Sequence, residues 1–186
     1  MPIAINGSGT ITGVSIGGLP DGIVDTDMIA NSNVTAGKLA SGVGGKILQI
    51  QSLTTESKTD TTSESFVDVN GFSLAITPSA ATSKVLIIAS STLEQDGSGN
   101  FSYATLLRGS TNLGHSSGGL TLSHEYYYPG QQDQEQPCTM VFLDSPNTTS
   151  ATTYKVQIRK AGGNRVGWNG SQSTIKGSFM LIEVGA

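Results

Sequence analysis

The sequence predicts an all-β protein: an antiparallel β-sandwich or jelly roll over residues 46–186, preceded by an extended Gly-rich stem over residues 1–45. Three observations predict it. From Lys46 onward, apolar residues recur at every second position, the mark of half-buried strands. Clusters of Gly, Asn, Asp, Ser and Pro separate these runs at intervals of 8–15 residues, as turns do. The first 45 residues, by contrast, hold ten glycines and no aromatic residue, and every aromatic lies at Phe66 or beyond.

The stem cannot build a core of its own. Ile3, Ile5, Ile11, Val14, Ile16 and Leu19 stand singly among Gly, Ser, Thr and Asn, too little apolar surface to offset the entropy of ordering. Such a segment orders by winding with copies of itself or by lying on a partner, and the regular spacing of its apolar residues favours that over a floppy linker. VDTDMIANSN at 24–33 lies over VTAGKLASGV at 34–43, matching Val24 with Val34 and Ile29 with Leu39. Repeats of this kind need stacking neighbours. Asp25 or Thr26 suits the cap of a short helical turn carrying Met28 and Ile29, while Gly37 argues against a long helix. GVGG at 42–45 reads as a hinge,.

The strands follow in order. KILQIQS at 46–52 places Leu48 and Ile50 on one face. FSLAIT alternates Phe72, Leu74 and Ile76 with small polar residues, and Pro78 ends it,. KVLIIAS at 84–90 is continuously apolar, the pattern of a central strand covered on both faces,. FSYATLLR at 101–108 alternates Phe101, Tyr103 and Thr105; LTLSHEYYY follows at 120–128. CTMVFLD at 138–144, TTYKVQIR at 152–159, RVGW at 165–168 and TIKGSFMLIEV at 174–184 complete about eight to ten strands. Turns fall at DGSGN, RGSTN, DSPNTT, AGGN and NGSQS,.

Composition narrows the function. Charged residues make up 13% of the chain and its net charge is −4, with no basic patch. Nucleic-acid binding is therefore not expected. No apolar run reaches the ~20 residues of a membrane-spanning helix, so no membrane insertion is expected. The start MPIAINGSGT lacks the charged and apolar regions of a signal peptide,, which points to synthesis and assembly in a cytoplasm. One cysteine, Cys138, excludes an internal disulfide framework and reads as a buried strand residue,.

Catalytic chemistry finds no constellation here. GHSSG at 114–118 fits G-x-S-x-G with Ser116 in the nucleophile position, but that motif needs a strand before it and a helix after it. A Gly/Ser-rich composition generates such matches by chance. His115 and His124 are the only histidines, short of the three or four ligands of a zinc site. Asp96, Asp133 and Glu135 lie in turns without the spacing of a calcium loop,. No metal, no cofactor and no enzymatic activity are expected. For ligand contact the candidates are Trp168, with Asn169 beside it, and Tyr127 in the run Tyr126–Tyr128, ahead of the long polar loop PGQQDQEQP,. The alternative for Trp168 is packing inside the sandwich.

The succession FVDV…SLAITPS…SKVLI, then LLRGST, LDSPNTTSATTYKVQIR and FMLIEV, resembles the β-rich terminal domain of tail-fibre-like and other virion structural proteins of tailed phages, notably those of aquatic bacteria. The stem GTITGVSIGGLPDGIVDTDMIANSNVTAGKLASG is similar to repeats that precede such domains. The resemblance covers roughly residues 7–184 and implies a homotrimeric virion protein, its stem attached to other capsid or tail proteins and its β domain outermost. A stem of small residues with one apolar position every few residues suits three chains about one axis.

Two functional expectations follow. The first is a non-enzymatic phage structural protein, a short trimeric fibre or capsid decoration protein anchored through residues 1–45. The second is a receptor-binding adhesin at a fibre tip, whose loops engage a host surface polysaccharide. A depolymerase or esterase needs a triad or paired acids that the sequence does not assemble.

Overall fold

The structure, a computed structural model, describes Val34, Lys38 and residues 46–96, 101–124, 134–170 and 175–185. The self-association positions expected at Ile3, Ile5, Ile11, Val14, Ile16, Leu19, Met28, Ile29 and Leu39 lie outside the described residues, as does Tyr127.

Eleven strands form among the described residues: β1 (Ile47–Thr55), β2 (Thr59–Thr61), β3 (Val67–Ile76), β4 (Lys84–Asp96), β5 (Phe101–Arg108), β6 (Thr111–Asn112), β7 (Thr121–His124), β8 (Gln134–Asp144), β9 (Thr152–Ala161), β10 (Arg165–Trp168) and β11 (Gly177–Val184). They make two antiparallel sheets packed as a sandwich. The successive strands β3, β4 and β5 alternate between the sheets, as in a jelly roll,. The all-β expectation is borne out.

The six-stranded sheet is organised by β4. One edge of β4 carries β11 along Lys84–Ser90 and β10 along Leu93–Asp96. Its other edge carries β8 along the whole of Val85–Gln95. β1 then pairs with β11, and β2 with β10. In the five-stranded sheet β9 lies between β3 and β5, and β7 and β6 share the far edge of β5.

Period two explains the core. Val85, Ile87 and Ala89 of β4, Tyr154, Val156 and Ile158 of β9, and Phe179 and Leu181 of β11 all point inward and are completely buried. Each large aliphatic or aromatic side chain removed from water contributes about 1.5–3 kcal/mol. Phe72 stands edge-on to Trp168, with ring centroids 5.5 Å apart at 83°, the T-shaped arrangement that aromatic quadrupoles favour.

Four expectations change. Leu48 and Ile50 do not share a face, because a bulge between Ile47 and Gln49 aligns Ile47 with Val184 and Ile50 with Ile182. An extra residue in one strand shifts its parity. In β5 the inward side chains are Ser102, Ala104 and Leu106, so Phe101 and Tyr103 face out. The polar segment Gln134–Pro137, expected in a loop, is strand, since its partners Glu94 and Gln95 are polar too. Finally, β4 is central, yet its second face is not covered in the way its apolar run predicts: Leu86 and Ile88 remain half-buried.

Candidate functional site

The outer face of the six-stranded sheet is the most unusual surface of the domain. Cross-strand register sets the outward residues in rows: Ile50 beside Ile182, Leu86 and Leu143, and Met180 beside Ile88 and Val141. Ile47 and Val184 continue the rows at one end. Ile50, Val141 and Leu143 are exposed at 53%, 61% and 50%, and Ile47 at 61%. The inward residues of the same strands fill the core, so these strands are aliphatic on both sides. Isolated exposed aliphatics are ordinary on a protein surface; contiguous rows across four strands mark an interaction surface.

The bare region has a physical boundary. Toward the C-terminal end of β4 the outward residues become Ser90, Thr92 and Glu94, with Ser90 hydrogen-bonded to Thr139 at 2.9 Å. Glu94 has no exposed surface. It accepts from the Arg165 guanidinium, which also reaches Asp60 at 2.9 Å and Asp96 at 3.5 Å. Gly167 has no side chain to interfere, and the Asp60 and Glu94 carboxylates occupy the space a Cβ there would need. The charged groups of β2 and β10 therefore cover the outer face around Glu94. Over the aliphatic half, from Ile50 to Leu143, no described strand lies.

The outer face of the five-stranded sheet has a different character. The Arg159 guanidinium lies 4.4 Å from the Tyr103 ring centroid and 5.4 Å from that of Phe66, within cation–π range. It donates to the backbone carbonyls of Ser117 and Glu64. Phe101 stacks on His124 at 4.3 Å and lies 6.2 Å from Tyr103. Lys155 and Gln157 hold Asp68 on the same sheet at 2.7 and 2.6 Å, and these bonds hold the Asp68 carboxyl below its ordinary range, against a smaller effect of burial. A shallow depression beside Arg159 is lined by Glu64, Ser65, Phe66, Ser116 and Ser117.

The structure relocates the residues singled out for ligand contact. Trp168 is fully buried, so its indole meets Phe72 edge-on rather than any sugar; this corrects the ligand-contact expectation and matches the packing alternative. Asn169 is 3% exposed. Its side chain accepts from Ser91 at 2.7 Å and donates to the Ser57 carbonyl at 3.0 Å, tying the β1–β2 connection to the core. Among the described residues the exposed aromatic surface is instead Phe101, with Tyr103 half-buried beside it. Period two alone could have found this pair, had Ala104 and Leu106 been assigned to the core.

The catalytic-looking motif has a structural explanation. His115 and Gly119 close a tight turn by mutual backbone hydrogen bonds of 3.0 and 2.8 Å. The His115 Nδ1 atom accepts from the backbone N–H groups of Ser117 and Gly118 at 3.2 and 3.1 Å. Strand β7 follows the turn, where the nucleophile motif requires a helix,. Among the described residues no cluster of three or more His, Cys, Asp or Glu side chains is placed to hold a metal ion; Asp133 lies outside them, Asp96 ends β4 and Glu135 is on β8.

No protein-family model matches the chain, and a search of curated proteins finds no match. Among solved structures, the fold is similar to a chain in the structure of the Gt strain of infectious bursal disease virus. That match has 13% identity and a TM-score of 0.35, and it covers 72% of this chain and 32% of that one. A chain from the Gx strain of the same virus matches with 14% identity and a TM-score of 0.30, over 75% of this chain and 43% of that one. This chain spans less than half the length of either.

Proposed function

We propose that this chain is a structural protein of a phage particle, a short trimeric fibre or capsid decoration protein that works by binding and assembly rather than catalysis. The observation that carries this reading is the six-stranded sheet, whose strands are aliphatic on both faces while only one face is covered by the five-stranded sheet. A sandwich of this kind has more apolar surface than its own core uses. The sequence resemblance to phage virion domains points the same way. In this reading residues 1–45 attach the chain to the particle and order against its sister chains, and the β domain stands outward. No cofactor and no nucleic acid take part.

Light scattering on the full chain tests the reading. A mass of three chains is the expected result. A single-chain mass at all accessible concentrations would sink the trimeric fibre and leave the chain as a monomeric module.

The adhesin reading keeps one supporting observation. Phe101, Tyr103 and Arg159 sit together on the outer face of the five-stranded sheet, on the opposite side of the sandwich from the aliphatic rows. Replacing Tyr103 by Ala should then abolish adsorption of the protein to host cells while its solution mass is unchanged; undiminished adsorption would exclude this surface as the receptor site.

A further inference from the structure

We infer that copies of this chain meet through the aliphatic outer face of the six-stranded sheet, with the second copy as its occupant. The inference rests on the assembly reading above and adds to it the surface used. It does not depend on the stem.

The first argument is area. Four strands at a spacing of ~4.8 Å make a face about 20 Å wide, and four to six residues at ~3.3 Å rise make it about 15–20 Å long. That footprint of about 300–400 Å² lies in the size range of functional apolar patches, and the Ser and Thr that flank it supply the polar rim of a larger interface.

The second argument is charge. The chain carries a net charge of −4, so two copies repel through most of their surface. The rows Ile50, Ile182, Leu86, Ile88, Val141 and Leu143 include no ionised group. Three such faces turned toward one axis come together with little charge to strip of water, which is costly unless it is paired. A nucleic acid or an anionic surface would need several cations here, and the face offers one, Lys84 beside Val184 at its end. The outer face of the five-stranded sheet, with Asp68, Lys155, Gln157 and Arg159, offers no matching aliphatic counterpart. The face that complements these rows among the described residues is the same face on another copy.

The third argument is the edge of β8. This strand has eleven residues and, among the described residues, pairs with β4 on one side only. Open edges of that length invite pairing with other chains unless charge, proline or a bulge blunts them. Pro137 and Glu135 do so near one end, but Thr139–Leu143 carries no such residue. Val141 and Leu143 stand on that unblunted stretch. A neighbouring copy lying over the rows covers both the face and the edge beside it.

The test is charge insertion at exposed positions, which leaves the core untouched. Val141→Glu with Leu143→Lys in the full chain should convert the assembled protein to a single-chain mass by light scattering. The concentration for half-dissociation should rise by about 100-fold or more, with an unchanged β circular-dichroism spectrum. The milder pair Val141→Ser with Leu143→Ser should weaken association in the same direction if the charged pair fails to fold. Gln157→Glu, on the other sheet, should leave the mass as it was. A trimer in the wild type that persists in both variant pairs overturns this inference and leaves the assembly reading standing, with the stem as its link. A wild type that is a single chain at every concentration overturns both.

Discussion

Tyr154 reaches across the sandwich to Asp144: its hydroxyl donates to the carboxylate Oδ2 at 2.6 Å, from β9 in one sheet to β8 in the other. Arg108 of β5 meets the same carboxylate, its Nη1 lying 2.9 Å from each oxygen. A buried aspartate is tolerable because it is satisfied from both sides. Removing the hydroxyl by Tyr154→Phe leaves one carboxylate oxygen short of a donor in a dry setting. We expect a loss of about 1–2 kcal/mol and a melting temperature lower by about 5 °C. An unchanged melting temperature would show that water replaces the phenol at no cost.

The same contact sets an alkaline limit. Burial, and then the hydrogen bond and charge of Asp144, raise the Tyr154 pKa far above its ordinary value of 10.0. The folded state therefore holds this proton more tightly than the unfolded chain. The linked stability is complete below about pH 10 and is lost as the pH rises beyond it. Urea midpoints between pH 9 and 11.5 should fall for the wild type and fall less steeply for Tyr154→Phe.

Glu183 governs the acid side. Burial pushes its pKa up, but donors outweigh that: the Ser79 hydroxyl at 2.7 Å, Gln49 at 2.6 Å, Ser83, and the Ser79 backbone N–H at 2.7 Å. The result is a pKa lowered from 4.5 to about 2. A depressed carboxyl pKa contributes stability above the unfolded value, which disappears as the pH falls through the folded one. About 3 kcal/mol should be present at neutral pH and lost between about pH 5 and pH 2. Glu183→Gln should be less stable at pH 7 and show a flatter profile across that window. Parallel profiles for the two proteins would mean that Glu183 does not carry the acid transition.

Cys138 is a packing residue, 6% exposed between β8 and the core. Burial alone pushes its thiol up to about 11, so the reactive thiolate is scarce at physiological pH. A disulfide-exchange reagent at pH 8 should label the native protein only at the rate of unfolding and label one thiol at once in denaturant. Fast native labelling would show that β8 opens locally.

Gly177 faces the ring of Phe72, whose Cζ stands where a Cβ would have to go. Gly177→Ala must displace a fully buried ring that also contacts Trp168 and Phe179. We expect about 1–3 kcal/mol of destabilisation, the usual range for overpacking a dense core, measured by urea unfolding.

How much of this was legible in the sequence varied with parity. TTYKVQIR assigned its own faces, because Tyr154, Val156 and Ile158 alternate with hydrophilic residues and are all completely buried. FSYATLLR did not, because both parities carry apolar side chains and burial selected the smaller set, Ala104 and Leu106, leaving the aromatics outside. The polar start of β8 was unreadable without its partner, since Gln134 and Glu135 are strand only opposite Gln95 and Glu94. KVLIIAS announced that both faces of β4 prefer cover. Which of the two the domain would leave bare depends on where β3, β5 and β9 stack, and no local pattern encodes that. Trp168 was readable as core from the RVGW strand, yet its neighbours Gly167 and Asn169 mimicked an exposed loop.

β1 lies beside β11, with Ile47 opposite Val184 and the Gly185 N–H bonded to the Lys46 carbonyl at 2.7 Å. This adjacency imposes an order in time. The first strand of the domain finds its partner only after β11 has been made, so the six-stranded sheet closes late in the synthesis of the domain. At ~5–20 residues per second, Ile47 and Ile50 wait on the order of ten seconds for Ile182 and Val184. Pairings so distant along the chain are also slow to form. Throughout that interval Ile47 and Ile50 lack their β11 neighbours, and the face proposed above for self-association is itself incomplete.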